Sequence, residues 1–77
     1  MEVIRIETTE IIVNAGKLNQ ENIHAIKNQI TSLNSIGRVI IKPSRKSITV
    51  VYDARVVSKN EIVSALRQIG YSINRIK

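Results

Sequence analysis

The stretch Ser58-Lys59-Asn60-Glu61 is followed by apolar residues at Ile62, Ala65, Leu66 and Ile69, and then by Gly70. Ser-x-x-Glu is the form of a capping box, in which two side chains satisfy amide groups left open at a helix start. Val57 and Ile62 have the spacing of a hydrophobic staple, and the apolar positions mark one helical face. Gly70 closes the segment, because a left-handed C-terminal cap costs glycine nothing. A helix bounded this sharply must connect whatever lies on either side of it. On both sides the chain is β-rich. Ser47-Ile48-Thr49-Val50-Val51-Tyr52 precedes it, and Tyr71-Ser72-Ile73-Asn74-Arg75-Ile76 follows, with Tyr, Ile and Ile assigned to one face and Ser, Asn and Arg to the other.

The N-terminal half repeats the design. Asn19 is a helix cap, Leu18 and Ile23 stand at staple spacing, and Ile23, Ile26, Ile30 and Leu33 form a buried stripe. Asn34 and Ser35 weaken the end of this helix, and Gly37 is expected to stop it. Val39-Ile40-Ile41-Lys42 then pairs with the Ser47–Tyr52 run across the turn Pro43-Ser44-Arg45-Lys46. Before the first helix, Val3-Ile4-Arg5-Ile6 and Ile11-Ile12-Val13 read either as two short strands or as one long bent strand. The order strand, helix, strand, strand, helix, strand predicts an α+β fold. It is the ferredoxin-like βαββαβ sandwich, a four-stranded antiparallel sheet with two helices on one face. Residues 1–77 are expected to form a single domain, with 1–10 as an N-terminal extension or the first part of strand one.

A core for this fold has to be aliphatic. The chain has no cysteine, no Phe and no Trp, and only two Tyr, so neither disulfides nor large aromatic rings contribute. The longest apolar runs are far too short to span a bilayer, and acidic and basic residues interrupt the N-terminus where a signal peptide would be apolar. These features predict a cytoplasmic domain. Twelve Lys and Arg against six acids give a net charge of +6, which favours acidic partners, although dispersed charge of this size also serves solubility. The local cluster is Lys42, Arg45 and Lys46 at the hairpin.

Val50-Val51-Tyr52-Asp53-Ala54, then Glu61-Ile62-Val63-Ser64-Ala65-Leu66, then Gly70-Tyr71 resemble the second half of a heavy-metal-associated domain. That family comprises small copper chaperones and the N-terminal domains of heavy-metal-transporting P-type ATPases. The resemblance runs without a gap from about Leu33 to Ile73 and implies the same ferredoxin-like fold. The family's metal loop reads Gly-Met-x-Cys-x-x-Cys, between strand one and helix one. Counting back places Gly16 on the glycine, Lys17 on the methionine, and Asn19 and Asn22 on the two cysteines. Asn14 then falls where an inward-facing apolar residue is expected.

The resemblance thus implies a domain of heavy-metal, copper-type transport or homeostasis, while these residues argue against carriage of the metal. Soft cations prefer sulfur, and two neutral carboxamides do not replace two thiolates. Lys17 adds positive charge, and one carboxylate at Glu21 cannot enclose an ion. His24 is read as a surface residue rather than a ligand. The expectation is therefore a non-catalytic regulatory or docking module with no cofactor and no metal. Family members dock through the loop and the face of helix one, which here implies Lys17, Leu18, Gln20, Glu21, His24, Lys27 and Tyr71 as docking residues. With the basic hairpin beside them, they favour the acidic face of another protein domain, such as the rest of a transporter. The alternatives are a basic nucleic-acid-binding domain or a small-ligand sensor of the ACT kind. Nucleic acid is disfavoured because the central strands offer no Phe or Trp for stacking. An enzyme of the acylphosphatase kind would need an arginine and a glycine-rich cradle in the loop after strand one, and the loop has neither.

Overall fold

The structure, a computed structural model, describes residues 4–14 and 18–77. The chain forms β1 (Ile6–Asn14), α1 (Gln20–Thr31), β2 (Ile36–Lys42), a 3-10 turn (Pro43–Arg45), β3 (Ser47–Asp53), α2 (Lys59–Gln68) and β4 (Ser72–Ile76). The strands lie in the order β2-β3-β1-β4 and every neighbouring pair is antiparallel. Side chains alternate across each strand, so Ile11 and Val13 share a face with Ile48, Val50 and Tyr52. Ile26 and Ile30 of α1 and Ile62, Val63 and Leu66 of α2 complete the same buried cluster. Both helices therefore cover one face of the sheet. This is the expected ferredoxin-like arrangement.

The local signals at α2 are realised in full. Ser58 Oγ accepts from the Glu61 amide at 3.2 Å, and the Glu61 carboxylate accepts from the Ser58 amide at 3.2 Å. At the other end Gly70 has φ 95°, the Gly70 amide donates to the Arg67 carbonyl, and the Tyr71 amide donates to the Leu66 carbonyl. That pair of bonds is a Schellman motif, and it delivers Tyr71 to the start of β4.

Two expectations are corrected, and a third is met through a bulge. Gly37 does not stop the first helix. α1 ends at Thr31, where the hydroxyls of Thr31 and Ser32 donate to the Lys27 and Gln29 carbonyls, both at 2.6 Å, and compete with the backbone ladder. Ser35, at φ 63°, makes the left-handed turn instead, and Gly37 lies within β2 beside a bulge, where an added Cβ would stand 3.4 Å from the Val51 carbonyl oxygen. The face assignment in β4 holds, by a route that alternation alone does not give. Strict alternation would put Ile76 opposite to Ile73, yet Ile73 pairs with Val13 and Ile76 with Ile11. A bulge absorbs the extra residue and returns Ile76 to the helix-covered face, as the assignment of Tyr, Ile and Ile to one side requires. The second correction concerns Asn14: Val13 is buried and Asn14 is exposed, so the inward position belongs to Val13.

The run from Ile6 to Asn14 is one continuous strand, so Thr8-Thr9-Glu10 is no break. Val3 lies outside the described residues. Tyr52 is buried in the core, and burial raises its phenol pKa above 10. Asp53 turns the chain, its carboxylate accepting from the Arg55 amide at 3.0 Å. The Tyr-Asp pair of the family motif thus has one structural role per residue.

Two predictions follow from the packing of β1. The Thr9 hydroxyl is buried with no hydrogen-bond partner among the described residues. Thr9→Val should therefore raise unfolding stability by about 1–2 kcal/mol in urea titration. Glu10 accepts a 2.5 Å hydrogen bond from Ser47 and pairs with Lys77 at 3.6 Å, which together hold its carboxyl below the ordinary value of 4.5. A lowered folded-state pKa adds stability above the unfolded-state value, and that stability drains away as pH falls through the folded-state value. Thermal unfolding from pH 6 downward should show a shallower acid loss below about pH 4.5 in Glu10→Gln than in the parent.

Candidate functional site

The loop that the resemblance assigns to metal joins β1 to α1. Gly16 and Lys17 lie outside the described residues. From Leu18 onward the geometry is defined. Asn19 has the extended backbone of an N-cap (φ −94°, ψ −179°), and its Oδ1 accepts from the Asn22 amide at 2.9 Å. Its carbonyl accepts the first helical bond, from the Ile23 amide at 3.0 Å. One of the open amides of the helix start is thereby satisfied by the side chain that the resemblance aligns with a family cysteine.

Asn22 does more than fill an exposed position. It is half-buried, and its Nδ2 donates to the Tyr71 Oη at 2.8 Å. Tyr71 comes from the other half of the chain, placed by the Gly70 turn and packed against the core. Asn22, which the resemblance aligns with the second cysteine, is thus tied across the fold to the Gly70-Tyr71 pair at the start of β4. Nothing in the local sequence signals this bond, since it joins residues 49 apart.

The predicted docking residues divide into two groups. Gln20, Glu21, His24 and Lys27 line one open depression along α1, together with Ile23, whose spacing places it on the core stripe. Ile23 is half-buried and forms the apolar floor of that face. Leu18 is corrected: it is only 6 % exposed and belongs to the core cluster, so a partner cannot reach it. Tyr71 is half-buried and already engaged by Asn22. The basic hairpin stands at the same end of the sheet, because the Val13 amide donates to the Lys46 carbonyl at 3.0 Å where β1 runs into the loop. Lys42 and Arg45 are exposed there, while Lys46 is half-buried at φ 53°.

Among the described residues no three His, Cys, Asp or Glu side chains gather closely enough to hold a metal ion. No described helix is long and apolar enough to cross a membrane.

No family model matches the chain, and no curated protein matches it in sequence. Solved structures match it closely in shape. A provisionally assigned copper-ion-binding protein from Bacillus anthracis str. Ames superposes with a TM-score of 0.84 at 22% identity, covering 94% of this chain and all (100%) of the other. Oxidized MerP from Ralstonia metallidurans CH34 gives 0.78 at 18% identity, covering 91% of this chain and 99% of that one. A copper-binding domain from HMA7, a P-type ATPase, gives 0.77 at 14% identity, covering 91% and 96%. The chain has the fold of heavy-metal-associated domains over nearly its whole length.

The Asn22–Tyr71 contact yields a double-mutant cycle. Asn22→Ala and Tyr71→Phe should show a coupling of about 1 kcal/mol in denaturant unfolding. Additive effects would mean that the pair contributes nothing as a bond.

Proposed function

We propose that this chain is a heavy-metal-associated-type domain of a copper-type transport or homeostasis system that docks to another protein and does not carry metal through thiolates. The observation that supports this most is the fate of the two cysteine positions. Asn19 spends its side chain on the helix cap, and Asn22 spends its own on Tyr71. Neither offers a soft donor, and a carboxamide oxygen is a poor ligand for Cu(I). The heavy-metal-associated fold and the copper-binding descriptions of its structural neighbours support the transport or homeostasis context.

The docking face in this reading is the exposed row Gln20, Glu21, His24 and Lys27 on α1, with Lys17 two residues before its cap in the sequence and Lys42 and Arg45 of the hairpin at the same end of the sheet. Its charge suits an acidic protein surface, with the on-rate raised by electrostatic attraction. The role is regulatory or adaptor-like and non-catalytic, and it is exercised in the cytoplasm, where the acidic partner belongs to the same transport system.

Competition titration against a Cu(I) chelator, alongside elemental analysis of the purified protein, tests the reading. The parent chain should take up no stoichiometric Cu(I). The variant Asn19→Cys with Asn22→Cys and Lys17→Met should bind one Cu(I) on the same backbone. Tight stoichiometric binding by the parent would overturn the proposal. A folded variant that binds nothing would show that the loop does not hold these positions as the family does.

A further inference from the structure

The helices cover one face of the sheet and leave the other bare. Because Thr9, Ile11 and Val13 are turned toward the helices, the strand register fixes what the bare face presents. One row across it reads Lys42, Ser47, Ile12, Arg75, and another reads Arg38, Val51, Thr8. Cations thus flank the face on its two outer strands, Arg38 and Lys42 on β2 and Arg75 on β4, three strand spacings or about 14 Å apart. The acids on this face are engaged by the protein itself. Glu10 takes the Ser47 hydroxyl and Lys77, and Asp53 takes the Arg55 amide. Arg38, Lys42 and Arg75 have no ion pair among the described residues.

The same face is aliphatic at one corner. Ile4 and Ile6 are 66% and 61% exposed, and with Val51 they line an apolar depression where β1 begins. Tyr52 borders the same depression but is only 2% exposed, and Tyr71 packs against the core, so neither ring is open to a ligand on this face.

We propose that the bare sheet face rests on anionic bilayer surfaces. Long basic side chains reach lipid phosphates while their stems lie along apolar surface, and exposed isoleucines enter the boundary between headgroups and acyl chains. A planar anionic surface meets both cationic flanks and the aliphatic corner at once. A nucleic acid would meet the cations alone, because its bases find no ring to stack on and its phosphates gain nothing from Ile4 and Ile6. The contact is peripheral, and it shares only Lys42 with the docking reading, whose row on α1 lies on the helical side of the molecule.

Sedimentation with vesicles of phosphatidylcholine mixed with phosphatidylglycerol, against pure phosphatidylcholine, tests this. The parent chain should sediment with the anionic vesicles only, and added salt should release it. Arg38→Glu with Lys42→Glu should weaken partition roughly thirty-fold or more, at about one kilocalorie per mole for each basic residue lost. Ile4→Ser with Ile6→Ser should weaken it further. Lys59→Glu with Arg67→Glu changes the net charge equally on the helical side and should weaken it far less. Circular dichroism confirms that each variant is folded. Equal loss in both charge-reversed pairs would reduce the effect to net charge and overturn the proposal. So would absence of vesicle binding, or duplex DNA competing the protein off vesicles with the same residue dependence.

Discussion

The structure depends on one aliphatic seam. Ile11, Val13, Ile48 and Val50 on the inner sheet face meet Ile26, Ile30, Ile62 and Leu66 from the helices. Burial of each such side chain contributes about 1.5–3 kcal/mol, no disulfide shares the task, and Tyr52 is the one aromatic ring buried among them. β-Branched residues suit this role on strands, since they lose little rotamer freedom there and pack well on a pleated surface. The seam also dictates what remains outside it. With both helices on one face, the other face of the sheet is left to solvent. The start of α1, the basic hairpin and the start of β4 are gathered at one end.

That gathering gives the loop its character. The Schellman turn at Gly70 sets Tyr71, Tyr71 receives Asn22, and Asn19 closes the cap one turn earlier. Three local devices, each worth of order 1 kcal/mol, are linked through one tyrosine hydroxyl. The exposed row on α1 then projects from a fixed base. A docking face with pre-set geometry pays less ordering entropy on association than one carried by a loose loop.

Much of this was legible in the chain because its signals are local. Ser58, Glu61 and Gly70 act within a turn or two of themselves, so their roles survive without knowledge of the fold. Asn19 was readable for the same reason. Where a choice depended on distant strands, local chemistry pointed elsewhere. Local chemistry favours Gly37 as the helix stop, yet the chain turns at Ser35 and uses Gly37 beside Val51. The bulge that returns Ile76 to the covered face is set by pairing with β1, which no alternation pattern contains. Leu18 looked exposed as a loop residue and is held in the core by the staple position it also occupies. The bond from Asn22 to Tyr71 belongs to this second class, and it is the feature that most alters the meaning of the loop.

Two different obstacles can keep a metal out of such a loop, and their magnitudes separate them. If geometry were the obstacle, an ion would have to break the Asn19 cap and the Asn22–Tyr71 bond, at about 1 kcal/mol each. Thiolate sites supply on the order of 10 kcal/mol or more, far above that sum. Occupied side chains alone would therefore not defend the loop against a soft cation. The defence lies in the donors, because a carboxamide gives Cu(I) none of the sulfur bonding that makes such sites tight. On this view the scaffold remains competent and only the chemistry at two positions has changed. The hydrogen bonds of Asn19 and Asn22 then give those positions a second use, as fasteners of the helix that carries the proposed docking row.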